Sequence, residues 1–253
     1  MKTSLDNTKR FSSKVDNYVK YRPDYPIEII DFLQNTYRLS TDKIIADIGS
    51  GTGISSQLFL NKNYRVIGIE PNKEMREKSV ELLGGYEKFS VIDATAENTQ
   101  LDAHSIDAIV AGQAFHWFDK AACKKEFKRI LKPEGLVVLM WNERLAESEF
   151  EREYDELIVK HSIDYVKVDH RKIDEKTIRD FFSPNPVELK VFSNRQVFDF
   201  EGMKGRLFSS SYIPDEDDPR SIPLIADLKK LFNKYQTNNI LTFRYATKVY
   251  VAR

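Results

Sequence analysis

The chain has 253 residues, 41% hydrophobic and 31% charged, which allows a sizeable core and argues against wholesale disorder. Its 39 Lys and Arg balance 39 Asp and Glu, whereas a protein that binds by neutralising phosphates carries excess positive charge, so no nucleic acid partner is expected. A single cysteine, Cys123, excludes an intramolecular disulfide and any multi-cysteine metal site. No metal is expected. With no apolar run near the ~20 residues of a membrane span and no apolar signal core, the expectation is a cytoplasmic protein that binds no membrane.

Residues 43–47 (KIIAD) form a short apolar run ending in an acid and then glycines, the pattern of a buried strand and a turn. Spaced Ile54, Leu58 and Phe59 predict a helix over 52–61. Residues 65–70 read as a second strand, and Pro71 opens a helix over 72–83 that Gly84 and Gly85 stop. Residues 89–93 and 106–111 are the third and fourth strands, 123–131 a helix, 133–135 a turn and 136–141 a fifth strand. Strands alternating with helices imply right-handed crossovers and a doubly wound, mostly parallel α/β sheet. The near-continuous apolar strands fit burial on both faces.

Beyond Trp141 a charged helix is expected over 147–161, with Phe150, Tyr154, Leu157 and Ile158 on one stripe. Residues 162–186 read as an excursion over the surface. Strand character returns over 187–200, helices over 202–210 and 221–236, and a last strand over 240–252 that pairs with 187–200. The expectation is a single domain over 1–253, its core formed by 35–142 and 187–253. Segments 143–186 and 200–222 would then form a lid over the sheet's carboxyl edge, with Ser209–Tyr212 as candidate lining; plain surface loops are the alternative. Residues 1–14 are polar and expected to be loose.

The chemistry concentrates in residues 46–53 (ADIGSGTG), where a strand runs into glycines and then a helix. Glycine serves where the backbone needs positive φ or a ligand must touch the main chain. Gly49, Gly51 and Gly53 give GxGxG after Asp47, whereas the dinucleotide fingerprint is GxGxxG, whose third glycine position is Ile54 here. A tight turn without a ligand is the plainer alternative. Glu70 lies 21 residues past Gly49 at a strand's carboxyl end, where an acid can accept both ribose hydroxyls or cap the following helix. Asp93, followed by Ala94, ends the third strand, where a carboxylate can accept from an adenine amino group or stay solvated. Residues 113–118 (QAFHWF) follow the fourth strand and would wall the crevice where open α/β sheets bind ligands.

In order along 40–142, the motifs ADIGSGTG, Glu70, Asp93-Ala94, QAFHWFD (113–119) and RILKPEGL (129–136) resemble those of class I S-adenosylmethionine-dependent methyltransferases. The AFHWFD block, with 18–26 (YVKYRPDYP), is similar to a narrower type 11-like group that includes trans-aconitate methyltransferase-like small-molecule enzymes. The resemblance implies a Rossmann-like seven-stranded sheet with an antiparallel last strand. It implies S-adenosylmethionine as cofactor and S-adenosylhomocysteine as product. Gly49 and Gly51, after Asp47, would pass under the methionine moiety, Glu70 would hold the ribose, and Pro71 and Met75 the adenine face. Asp93 with Ala94 would meet the adenine edge and Gln113 the amino-acid tail, with Tyr18 and Arg22 closing over the site.

Methyl transfer from a sulfonium is an in-line displacement, so a base is needed only for an acceptor that must lose a proton. His116 is the candidate catalytic residue, as base or donor, with simple packing beside Trp117 as the alternative. Trp117 and Phe115 could contact a cation or be core. Arg22 and Arg244 could fork onto a carboxylate, with a surface role the alternative for Arg244. The expected acceptor is a small molecule, carboxylates included, and the expected assembly a monomer or homodimer. A nicotinamide-dependent oxidoreductase and a non-enzymatic S-adenosylmethionine-binding protein are the competing functions.

Overall fold

Apolar strands buried from both sides need helices on each face, and the protein builds that arrangement. The computed structural model describes residues 15–163, 175–210 and 212–253, so the expectations for 1–14, 164–174 and Ser211 lie outside the described residues. Among the described residues, two helices precede the sheet, α1 (Val15–Tyr21) and α2 (Glu28–Tyr37). Then come β1 (Ile44–Ile48), α3 (Ile54–Leu60), β2 (Arg65–Ile69), α4 (Lys73–Leu83), β3 (Phe89–Ile92) and β4 (Ile106–Gly112). A short 3-10 turn, Phe115–Trp117, leads to α5 (Lys120–Ile130) and β5 (Leu131–Arg144). The chain continues through α6 (Glu149–His161), α7 (Glu175–Phe182), β6 (Glu188–Phe198), α8 (Phe200–Phe208), α9 (Ser221–Tyr235) and β7 (Leu241–Ala252).

The seven strands form one sheet in the order β3-β2-β1-β4-β5-β7-β6. Strands β1 to β5 are parallel, and β7 lies antiparallel between β5 and β6. The expected pairing of the last strand with β6 holds, from Glu188 opposite Val251 to Phe198 opposite Leu241. Strand order reverses between β1 and β4, and in open α/β sheets that switch point opens a crevice at the carboxyl ends.

Alternate strand residues supply two cores. On one face Ala46, Ile48, Ile109 and Leu139 pack with Cys123 and Phe127 of α5 and with Ile178, Phe181 and Phe182 of α7. On the other, Ile45, Val66, Val110 and Val138 pack with Ile29, Ile30 and Leu33 of α2 and with Leu58 and Phe59 of α3. A third cluster joins Phe150 and Tyr154 of α6, Met203 and Leu207 of α8, and Leu228 of α9 to Phe243 and Tyr245 of β7.

Three expectations are revised. Helix α2 was not anticipated, although Ile29, Ile30 and Leu33 mark its buried stripe, so the sheet's covering begins before residue 35. The turn at 133–135 lies within β5, which runs from Leu131 to Arg144, and the irregularity survives as a register shift and a positive φ at Glu134. The segment 143–186 divides: α6 joins the third cluster, while α7 is a sheet-covering helix rather than a surface excursion.

Candidate functional site

The loop after β1 is built by its glycines. Gly49, Gly51 and Gly53 have φ of 67, 57 and 92°, backbone that side-chain-bearing residues seldom adopt. A Cβ at Gly49 would lie 2.7 Å from the Ala114 Cβ, and one at Gly53 would lie 2.3 Å from Leu83 Cδ1, so both are needed for packing. Gly51 differs: a Cβ there would meet nothing within 4 Å. Its freedom serves an open space, the cleft lined by Tyr18, Arg22, Tyr25, Ser50, Thr52 and Gln113.

Glu70 secures this loop. The Gly51 N–H donates to Oε2 and the Asn72 N–H to Oε1, each at 2.8 Å. Burial pushes the Glu70 carboxyl above its ordinary range, and those two N–H groups oppose the shift. Helix α4 is capped by Asn72, whose side chain accepts from the Met75 N–H, so Glu70 is left to the loop.

Asp47 lies behind the loop, fully buried. Its Oδ2 accepts from the hydroxyls of Ser55 (2.7 Å) and Ser56 (2.6 Å), and no described group donates to Oδ1. Burial drives its carboxyl up to about 6, although Ser56 and Ser55 pull the other way. The hydroxyls of Ser50 and Thr52 are likewise buried without a described partner. Buried polar atoms without partners are costly, and a ligand in the cleft would relieve the cost.

The structure brings most of the sequence-predicted residues to the switch point. Gln113 has φ of 55°, its N–H donates to the Met140 carbonyl, and its side-chain amide donates to the Asn142 carbonyl (3.2 Å). Met75 and Ala94 are buried, and Pro71 is half-buried. Asp93 is largely exposed and pairs with Arg76 at 2.7 Å, a partner the sequence reading did not supply. Tyr18 on α1 carries the Arg22 guanidinium 5.0 Å above its ring, and Arg22 donates to the Ser209 carbonyl at 2.9 Å. Tyr21 fits over Gly205 of α8, where any Cβ would lie 2.0 Å from the ring.

Other candidates stand elsewhere. His116 sits in the 3-10 turn with its ring 4.6 Å from that of Trp117, and it is not among the residues lining the glycine-loop cleft. Phe115 is core, packed edge-on against Trp141 and Phe181. Arg244 forks onto Glu151 at 2.9 and 2.8 Å, so its partner is a carboxylate of α6 and no ligand is needed to pair it. The sequence reading missed Tyr25, which lines the cleft, and Arg144 and Arg206, which converge behind Arg22 from distant segments. Among the described residues, no helix is long and apolar enough to cross a membrane, and no group of three His, Cys, Asp or Glu could hold a metal.

Comparison with known proteins agrees with this architecture. Residues 46–139 match the family model described as a methyltransferase domain. An uncharacterized methyltransferase of Mycobacterium bovis is 33% identical over 160 residues, covering 60% of each chain. The protein thus matches about 60% of that relative's length. A methyltransferase-like protein of Schizosaccharomyces pombe is 31% identical over 54% of this chain and 52% of its own. Among solved structures, a putative type II methyltransferase from Anaeromyxobacter dehalogenans superposes with a TM-score of 0.68 at 18% identity, covering 92% of this chain and 97% of that one. Phosphoethanolamine N-methyltransferase 2 of Haemonchus contortus, solved with S-adenosylhomocysteine, has a TM-score of 0.57 at 14% identity and covers 98% of this chain and 58% of its own. These two likenesses are of fold alone.

Proposed function

We infer that this chain, whose residues 46–139 match the methyltransferase domain family and which has the class I fold, transfers a methyl group from S-adenosylmethionine to a small-molecule acceptor. The observation that carries the reading is the open space at Gly51 beside a buried carboxylate, Glu70, held by the loop's own backbone. Each Glu70 oxygen accepts one N–H and keeps a lone pair for a ribose hydroxyl. The partnerless oxygens of Asp47, Ser50 and Thr52 suit the polar amino-acid end of the cofactor. Arg22 pairs with its carboxylate, the main chain at Gln113 with its ammonium, and Tyr18 closes over both. Pro71, Met75 and Ala94 form the adenine pocket, and Asp93 reaches the adenine edge by sharing or releasing Arg76.

The bound cofactor supplies a methyl carbon activated by a positive sulfur. The protein's part is alignment and exclusion of water. A lid made by α1, α6 and α8 over the carboxyl edge would do both. His116, outside the glycine-loop cleft, would serve as donor or base only for an acceptor that reaches the 3-10 turn, the base role applying to one that must lose a proton. The acceptor class includes trans-aconitate-like carboxylates, and the working unit is a cytoplasmic monomer or homodimer.

The test is a thermal shift with S-adenosylhomocysteine and, separately, with NAD. The account expects a rise in melting temperature with the first and none with the second. The reverse would make the protein an oxidoreductase. If S-adenosylhomocysteine binds but no methyl is transferred to any polar metabolite pool, the non-enzymatic reading gains.

A further inference from the structure

Behind Arg22, away from the glycine loop, the protein buries two more guanidiniums. Arg144, at the end of β5, has a side chain only 7% exposed. Arg206, on α8, is 6% exposed. Arg144 pairs with Asp155 of α6, its Cζ stands 4.8 Å from the Tyr154 ring centroid, and its buried Nε has no described partner. Among the described residues Arg206 makes two hydrogen bonds, both long and to neutral groups: its Nε to the Tyr245 hydroxyl at 3.3 Å and its Nη1 to the Ser209 Oγ at 3.5 Å. Arg22 reaches the same Ser209 from the cofactor cleft, through the backbone carbonyl.

The charges do not balance. Among the described residues, the buried guanidiniums of Arg144 and Arg206 and the half-buried one of Arg22 face one carboxylate in an ion pair, Asp155. If Arg22 answers the cofactor's carboxylate and Arg144 answers Asp155, the Arg206 charge remains. A buried charge without a counter-charge is strongly unfavourable, and proteins keep one where a ligand supplies the partner. Guanidinium forks match planar carboxylates, with two parallel N–H donors. The field at this place favours negative charge: burial pushes the Tyr212 phenol up, yet Arg144, Arg206 and Arg22 together leave it below its ordinary value.

We propose that Arg206, with Arg144 beside it, is the anchor for a carboxylate on the methyl acceptor. The subsite rests on the methyltransferase reading and narrows its acceptor class to a small organic acid, held next to Arg22. Its carboxylate either anchors the molecule or is itself methylated. Neither case requires a base at Arg206.

The test uses the full chain and three probes, acetate, glutarate and inorganic phosphate, against chloride at matched ionic strength. Acetate and glutarate should raise the melting temperature of the wild type by several degrees. Arg206→Met should lose that response, with S-adenosylhomocysteine affinity within about threefold of wild type, since Arg206 lies outside the glycine-loop cleft. Without anions the same variant should melt no lower than wild type, because an unbalanced buried charge has gone. A variant that melts well below wild type and still responds to carboxylates would show Arg206 to be structural. Phosphate stabilising more than either carboxylate would overturn the carboxylate assignment. No response to any probe, with S-adenosylhomocysteine still bound, would remove this subsite alone. Failure to bind S-adenosylhomocysteine would remove the reading beneath it.

Discussion

Asp47 is a carboxyl in the wrong place by ordinary solvation rules, fully buried and held at about 6. Its folded value lies above the ~3.9 of an unfolded aspartate, so the native state binds more protons between pH 4 and 6. This group's contribution is therefore most favourable below pH 4. It declines by about 3 kcal/mol as pH rises to 6, then levels off. Glu126, held at about 2 by Arg129, acts in the opposite sense but in a lower window. Denaturant melts of wild type and Asp47→Asn across pH 4–7 should converge at the acid end and diverge toward neutrality, with the asparagine variant more stable. A cationic cofactor bound beside Asp47 would prefer the ionised form. S-adenosylmethionine affinity should then weaken below pH 6, by up to about tenfold per unit, and Asp47→Asn should flatten that dependence. A wild-type affinity that stays level from pH 7 to 5 would show that Asp47 does not face the cofactor's charge.

At the scale of elements, the glycine loop separates packing from ligand contact within three residues. Gly49→Ala places a methyl 2.7 Å from Ala114 and keeps a left-handed φ, so it should lower stability by about 2–4 kcal/mol. Gly51→Ala meets only the left-handed penalty of about 1–2 kcal/mol in the protein, yet its methyl enters the cleft. Calorimetry and melting on the pair should show Gly49→Ala as the larger loss of stability and Gly51→Ala as the larger loss of affinity per unit of stability. Equal ranking on both scales would remove the distinction. The β1-loop-α3 unit was legible in the sequence because all its determinants are local: an apolar run, an acid and three glycines. Helix α2 was also written locally, in Ile29, Ile30 and Leu33, but lies ahead of the first strand, where the alternating pattern gives no cue to look. Helix α7 was hidden by its short length among charged residues. Its Ile178, Phe181 and Phe182 have helical spacing, but only the sheet shows why they are buried.

For the whole molecule, the sheet order explains why the candidate crevice lies where it does. The reversal between β1 and β4 sets the glycine loop opposite Gln113, and Glu70 closes the floor from β2. That much of the site follows from motifs in chain order. The arginine cluster could not be read in the same way, because Arg22, Arg144 and Arg206 come from three distant segments and meet only when α1 packs on α8 at the end of β5. Arg244 shows the converse: an arginine read as either a ligand partner or a surface residue is paired with Glu151 once α6 is in place. The central claim is that the Gly51–Glu70 crevice holds S-adenosylmethionine, and calorimetric titration of S-adenosylhomocysteine into wild type and Glu70→Ala tests it most directly. Losing hydrogen bonds to a charged group at ~1.5–3 kcal/mol predicts an affinity about 10- to 100-fold weaker in a variant that circular dichroism shows to be folded. Unchanged affinity in the folded variant, or no binding by the wild type, would contradict it.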